Sequence, residues 1–209
     1  FGNYTYTRNG TPLDLITRDT AGDYEIRYVS GEFRETLARV AIVLTEPESS
    51  LETVSETVAG AEITVVWIGP DHQNDLITVV TADTPAGEFG NYVFTSRGPD
   101  LSVLTPDKPG EYEVRYLSGQ SYRTLASQTI TLMPPNITID AWPVGVVGSV
   151  LEVIWTGPSN KNDFLTVVPV DASETELGAY QYTRKGNPLE LVLPELAGSF
   201  EIRYVSGQS

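Results

Sequence analysis

Residues 110–121 read GEYEVRYLSGQS, residues 198–209 read GSFEIRYVSGQS, and residues 22–33 read GDYEIRYVSGEF. The three copies stand at a constant step. Gly22, Gly110 and Gly198 are 88 residues apart, and so are Tyr28, Tyr116 and Tyr204. The same step relates Trp67 to Trp155, Pro70 to Pro158 and Asp75 to Asp163. It also relates GNYTYT from Gly2 to GNYVFT from Gly90 and GAYQYT from Gly178. A fixed long period without insertions means tandem copies of one structural unit, here the size of a small domain and not of a solenoid repeat. The predicted division is 1–46 as the C-terminal half of a first unit, 47–134 as a complete unit, and 135–209 as a third unit lacking its last strand. The chain therefore reads as a window on a longer repetitive protein.

Each unit reads as β-structure. Runs of Val, Ile, Thr, Tyr and Leu alternate with Gly, Pro, Asn and Asp clusters, and no stretch keeps a helical period for three turns. In the central unit the expected strands are Thr53–Ser55, Glu62–Ile68, Ile77–Thr81, Tyr92–Ser96, Leu101–Leu104, Tyr112–Leu117 and Leu125–Leu132. Seven short strands in this length predict an all-β fold of tandem immunoglobulin-like sandwiches in an elongated array. Alternation places Ile63, Val65 and Trp67 on one face, Tyr92 and Phe94 on another, and Tyr112, Val114 and Tyr116 on a third. All are expected to point into the core. Each buried ring contributes on the order of 4–6 kcal/mol gross at about 25 cal/mol/Å², which compensates for the missing disulfide. DKPGEY from Asp107 to Tyr112 resembles a tyrosine corner, in which the hydroxyl ties a turn to the backbone. The third copy has Phe200 there and lacks the hydroxyl. The linkers TEPESS from Thr45 and MPPN from Met133 are short, and Pro-Pro favours semi-rigid extended backbone.

Composition narrows the function. The formal net charge is -15 and the pI about 4.3, which sets aside nucleic acids and anionic membranes as partners. Cysteine is absent, so disulfide and thiol chemistry are excluded. Acidic, Thr- and Val-rich, Cys-free tandem units suit a bacterial exported protein, placed outside the cell, on its surface or in the periplasm.

The pattern W-x-G-P, a polar turn, D-x-[IL]-T-V-V, G-x-Y-x-[YF]-T and G-x-[YF]-E-[IV]-R-Y-[VL]-S-G is carried here by WIGPDHQNDLITVV, WTGPSNKNDFLTVV and the EIRYVSGQS phrases. It resembles the bacterial repeat domains of exported proteins that also carry a von Willebrand factor A domain. The resemblance covers essentially the whole chain. It implies an immunoglobulin-like module of an envelope or secreted protein, and it implies neither catalytic residues nor metal ligands.

Several residues stand out as candidate sites. DHQND at 71–75 is an oxygen-rich turn of the kind calcium favours. Its counterpart SNKND places Ser159 and Lys161 where ligands would be needed. Solvated turns are therefore expected, with calcium held by Asp71, Asp75 or Asp163 as the alternative and no other cofactor. Arg27, Arg115 and Arg203 share an outer face with Glu25, Glu113 and Glu201, and Asp75 and Asp163 lie within possible reach. The reading is a surface charge pair, with a recognition face repeated in every unit as the alternative. Aromatic stripes can bind sugars, but these are placed inside. Trp142 stands where Val54 stands one period earlier, so the fold does not demand an aromatic there. Beside a linker, it is expected to pack between units. His72 is the only histidine and its counterpart is Asn160, so no Ser-His-Asp or Cys-His arrangement can be assembled. Asn3 and Asn136 begin N-x-Thr sequons, relevant only if the source glycosylates.

The functional expectation is a non-enzymatic stalk, spacer or assembly segment whose partners are its own neighbouring repeats. The alternatives are an adhesion module capturing a protein or glycan, and a filament subunit in which the open strand edge of the third unit receives a strand from another chain.

Overall fold

The computed structural model describes residues 2–208. Among those residues sixteen strands form the sheets, and three single-turn 3₁₀ helices lie between strands or before the first. Among the described residues no helix is long and apolar enough to cross a membrane.

The central segment contains two facing sheets. One has the order β3-β5-β8, from β3 (Ser50–Glu52), β5 (Glu62–Ile68) and β8 (Asp100–Leu104). The other has the order β4-β10-β9-β6-β7, from β4 (Glu56–Val58), β6 (Leu76–Thr81), β7 (Asn91–Phe94), β9 (Gly110–Leu117) and β10 (Thr124–Met133). Ile63, Val65, Leu101 and Val103 from the first sheet pack on Ile77, Val79, Val93, Val114, Tyr116, Ile130 and Leu132 from the second. The expected first strand at Thr53–Ser55 is instead the crossing between β3 and β4, which belong to different sheets. The crossing is held by Gln128, which donates to the Thr53 carbonyl and accepts from its amide, and by Thr53 Oγ1 donating to the Thr64 carbonyl. Beyond it, β4 runs parallel to the end of β10.

The third segment has two three-stranded sheets. β11 (Thr138–Ala141), β12 (Val150–Thr156) and β15 (Leu189–Val192) form one sheet; β14 (Ala179–Tyr182), β13 (Phe164–Pro169) and β16 (Phe200–Val205) form the other. Val153, Trp155, Leu165, Val167, Leu189 and Leu191 make its core. The first segment contains the antiparallel hairpin of β1 (Gly22–Val29) and β2 (Thr36–Leu44). Ile26 and Tyr28, one period before the buried Val114 and Tyr116, are exposed, because no second sheet faces them among the described residues.

The inward faces of β5 and β9 follow the expected alternation, and Tyr112 and Tyr116 are 6% and 0% exposed. The fourth strand does not. Val93 is the buried residue of β7, whereas Tyr92 and Phe94 are 48% and 36% exposed. Register explains the reversal: Tyr92 lies opposite Thr78 and Phe94 opposite Leu76, on the outer face of β6. That outer face is itself buried, with Leu76, Thr78, Val80 and Leu117 all at 5% exposure or less. The aromatics cover it from outside, Tyr92 packing edge-on against both Phe94 and Phe89, and Phe89 stacking on Tyr122. Three of the five expected core rings therefore lie in the core, and two lie on an outer layer.

Candidate functional site

The YxSGQ phrase, which ends β9 and recurs at the end of β16, builds the most elaborate polar site in the molecule. It begins with a buried carboxylate. Asp75 is 1% exposed and accepts from the Tyr116 hydroxyl at 2.8 Å, the His72 amide at 3.0 Å and the Gly119 amide at 2.7 Å. Asp163 accepts from Tyr204, Asn160 and Gly207 in the same way. Each tyrosine oxygen also accepts a backbone amide, from Asp71 at 3.1 Å and from Ser159 at 2.8 Å. Burial, with the adjoining Asp75 or Asp163 carboxylate, pushes both phenols far above their ordinary value. The phenol thus stays protonated and donates, and an unpaired buried carboxylate is avoided.

Two glycines permit this lock. A Cβ on Gly69 would lie 2.1 Å from the Tyr116 ring, and one on Gly119 would lie 2.3 Å from the Gln73 carbonyl oxygen. The W-x-G and S-G-Q motifs are therefore requirements of close approach. The lock joins the 71–75 turn to the tip at 118–123 and fixes where that tip points.

The tip crosses to the preceding segment. Asn3 Nδ2 donates to the Ile16 carbonyl at 3.0 Å and to Gln120 Oε1 at 3.1 Å, while Gln120 Nε2 donates to the Thr17 carbonyl at 3.0 Å. At the next junction Asn91 Nδ2 donates to the Leu104 carbonyl at 3.1 Å and to Gln208 Oε1 at 3.0 Å. Gln208 Nε2 donates to the Thr105 carbonyl at 3.1 Å. The two amide clasps use residues of the same type at the same separation, 117 residues in both cases. Around the first, Asp19 accepts from the hydroxyls of Ser118 and Ser121, and Arg123 donates to the Asp19 carbonyl at 2.6 Å and to Glu46 at 2.8 Å. Burial raises the Asp19 carboxyl, but the Ser118 and Ser121 hydroxyls and neighbouring donors outweigh it and hold the group below its ordinary value. At the second junction Asn160 sits on Gly60, where a Cβ would lie 2.9 Å from its Nδ2.

The residues singled out from sequence are placed as follows. Arg27, Arg115 and Arg203 pair with Glu25, Glu113 and Glu201, each two residues away on the outer face. Arg115 is more than a surface partner: it is 7% exposed and donates to the Thr84 and Pro85 carbonyls, pinning the loop between β6 and β7. Arg203 does the same to Ala172 and Ser173. Asp75 and Asp163 do not reach these arginines; they face inward to tyrosine. Their oxygens are committed to the lock and Asp71 Oδ1 accepts from Thr95, so the turn has no converging free carboxylates to offer calcium. Among the described residues no group of three or more His, Asp or Glu side chains is placed to hold a metal. Trp142 does not pack between segments; it projects into solvent at 81% exposure. The tyrosine-corner hydroxyls bond as expected, Tyr24 to the Thr20 carbonyl and Tyr112 to the Lys108 carbonyl, both at 3.0 Å.

Sequence reasoning missed the clasp. Its halves stand 117 residues apart in different phrases, Asn3 and Asn91 after a glycine before an aromatic run and Gln120 and Gln208 within SGQ, and nothing local links them. No protein-family model matches the chain, and no curated protein matches it.

Proposed function

We propose that the chain is a run of immunoglobulin-like units with an 88-residue period, divided near residues 46 and 134. On this reading it acts without catalysis as a stalk or spacer of an exported bacterial surface protein. The observation that carries this reading is the recurrence of one clasp at both junctions. A stalk needs its joints to be alike, because one repeated joint geometry extends a chain in a regular direction whereas unlike joints collapse or branch it. The lock from Asp75 to Tyr116 stiffens each joint from within its unit, and the short linkers remove slack. The resemblance to repeats of exported proteins with a von Willebrand factor A domain agrees with this role and supplies the surface location.

The test is small-angle X-ray scattering of the 209-residue chain in dilute solution. An elongated particle with the cross-section of one sandwich is expected. A compact particle overturns the proposal.

A second reading rests on the exposed aromatics. Tyr4 with Tyr6, Tyr92 with Phe94, and Tyr180 with the half-buried Tyr182 form edge-on pairs, one pair in each segment. Such rows favour adhesion to a glycan or protein. Glycan-array binding that is lost on Tyr92→Ala would select this reading over a pure spacer.

A further inference from the structure

We propose that the central segment binds an uncharged pyranose sugar in a cleft between the end of β5 and the turn at 95–99, with Trp67 as its wall and Asp71 as its anchor. The proposal rests on the adhesion reading above for the class of ligand. It moves the contact from the aromatic row to a place that the third segment fills with a side chain of its own.

The cleft has a volume of about 370 Å³, within the range of about 300–1,000 Å³ usual for small-ligand sites. Trp67, Ile68, Asp71, Thr95, Ser96 and Pro99 line it. Its walls are fixed. The Trp67 indole N–H donates to the Gly98 carbonyl at 3.0 Å, and the ring packs edge-on against Tyr116. Asp71 has a left-handed backbone, with φ at 51°; its amide donates to the Tyr116 hydroxyl oxygen and its Oδ1 accepts from Thr95 at 2.7 Å. The tyrosine lock that orders the tip thus also sets the carboxylate at the cleft. Asp71 Oδ2 makes no hydrogen bond or ion pair among the described residues.

One period on, the same place is occupied from within. Asn187 donates to the Trp155 carbonyl at 2.7 Å and accepts from the Trp155 amide at 3.3 Å, and Trp155 is 6% exposed. The central segment has Pro99 in place of Asn187, and Trp67 is only partly buried. Proline has neither an N–H nor a side-chain donor to give the Trp67 carbonyl. The same comparison exchanges Asp71 for Ser159, whose hydroxyl donates to Thr183 at 3.3 Å. The segment that supplies its own carboxamide has no carboxylate there, and the segment that leaves the space open has one. A missing neighbour does not create the opening. At the second junction the preceding segment is the central one, with both of its sheets, and residues 184–188 are exposed all the same.

The lining selects the ligand. Trp67 and Pro99 offer apolar rings, Ser96 a hydroxyl, and Asp71 and the Trp67 carbonyl accept only. A partner must donate from its rim while laying C–H groups on the rings, as a pyranose does. No Lys or Arg lines the cleft, and Asp71 together with the formal net charge of -15 repels an anion. The group that fills the counterpart is a neutral carboxamide, which favours a neutral donor over a basic side chain.

The experiment is an amide and indole chemical-shift titration of the whole chain with maltose, cellobiose, lactose and chitobiose. Digalacturonic acid and a lysine peptide serve as charged probes. Wild type is compared with Pro99→Asn and Asp71→Ser, which install the residues that the third segment carries at those positions. At least one neutral disaccharide should give saturable shifts of the Trp67 indole and the Ser96 and Gly98 amides, with the Trp142 and Trp155 indoles unmoved. Each substitution should weaken that binding by about tenfold or more, and a retained urea midpoint shows which variants are folded and can be read. The proposal is overturned if no neutral disaccharide shifts Trp67, if a charged probe binds there more tightly, or if a folded variant binds as wild type does. The pattern of failure separates the two readings. Sugars that shift Tyr92 and Phe94 but not Trp67 remove the cleft and leave adhesion standing, whereas sugars that shift no signal remove both.

Discussion

Gln208 and Asn91 face each other across a junction, the asparagine amide donating to the glutamine oxygen at 3.0 Å and the glutamine amide donating past it to the Thr105 carbonyl. Asn3 and Gln120 do the same at the junction before. Neither residue has its whole partner set within its own segment, so both report on the joint and not on the core.

Replacing Asn91 by Ala removes its bonds to the Leu104 carbonyl and to Gln208. Hydrogen bonds of this kind contribute about 0.5–1.5 kcal/mol each. The central core is untouched, so unfolding of that core in urea should move little. The joint should loosen instead, seen as a broader distribution of end-to-end distances in scattering or in fluorescence transfer between labels on the central and third segments.

Tyr116→Phe should have the opposite profile. It deletes the donor to Asp75 and the acceptor for the Asp71 amide, leaving a buried carboxylate short of one partner. The expected loss is about 1–3 kcal/mol of stability, read as a lower urea midpoint with unchanged slope. Faster amide exchange at Gly119 should accompany it, because the tip is no longer tied to the 71–75 turn.

The first junction should respond to acid. The Asp19 carboxyl is held below its ordinary value of 3.8. Its contribution is therefore complete above that value and is lost as pH falls through the lower folded value. Between pH 5 and 7 this contact is expected to be insensitive to pH, because the carboxyl is ionised across that range in both the folded and unfolded chain. Below the ordinary value the first segment should swing more freely, measured by labels on the first and central segments. Asp19→Asn should abolish that acid response.

Arg115→Lys tests the loop between β6 and β7. A lysine cannot reproduce a planar fork that serves Glu113 and two carbonyls together. Hydrogen bonds from charged groups contribute about 1.5–3 kcal/mol. A destabilisation of that order is expected, with protease sensitivity appearing in residues 82–90.

The strand positions were largely legible from sequence because apolar alternation and turn residues both marked them. Glu62–Ile68 is found as expected, and Tyr112–Leu117 falls inside β9. Tyr92 and Phe94 were misplaced for a specific reason. In Asn-Tyr-Val-Phe each alternating set carries an apolar side chain, Val93 in one and Tyr92 with Phe94 in the other, so only pairing with β6 decides which set is inside. Asp75 was misread as a possible ligand or arginine partner because its tyrosine lies 41 residues away and its burial has no local signature. The clasp was invisible for a related reason: its two halves, 117 residues apart, belong to different units, and comparing units by alignment sets like against like and never sets one end against the other.

The clasp ends on main-chain carbonyls of Ile16, Thr17, Leu104 and Thr105 as much as on side chains. Main-chain groups are the same whatever residue carries them. Excising one whole period would bring Asn3 and Thr17 against Gln208, the same chemistry that Asn91 and Thr105 now present. On the proposed stalk reading, its reach could then be lengthened or shortened by gene duplication or loss, in steps of one unit, without inventing a new contact surface.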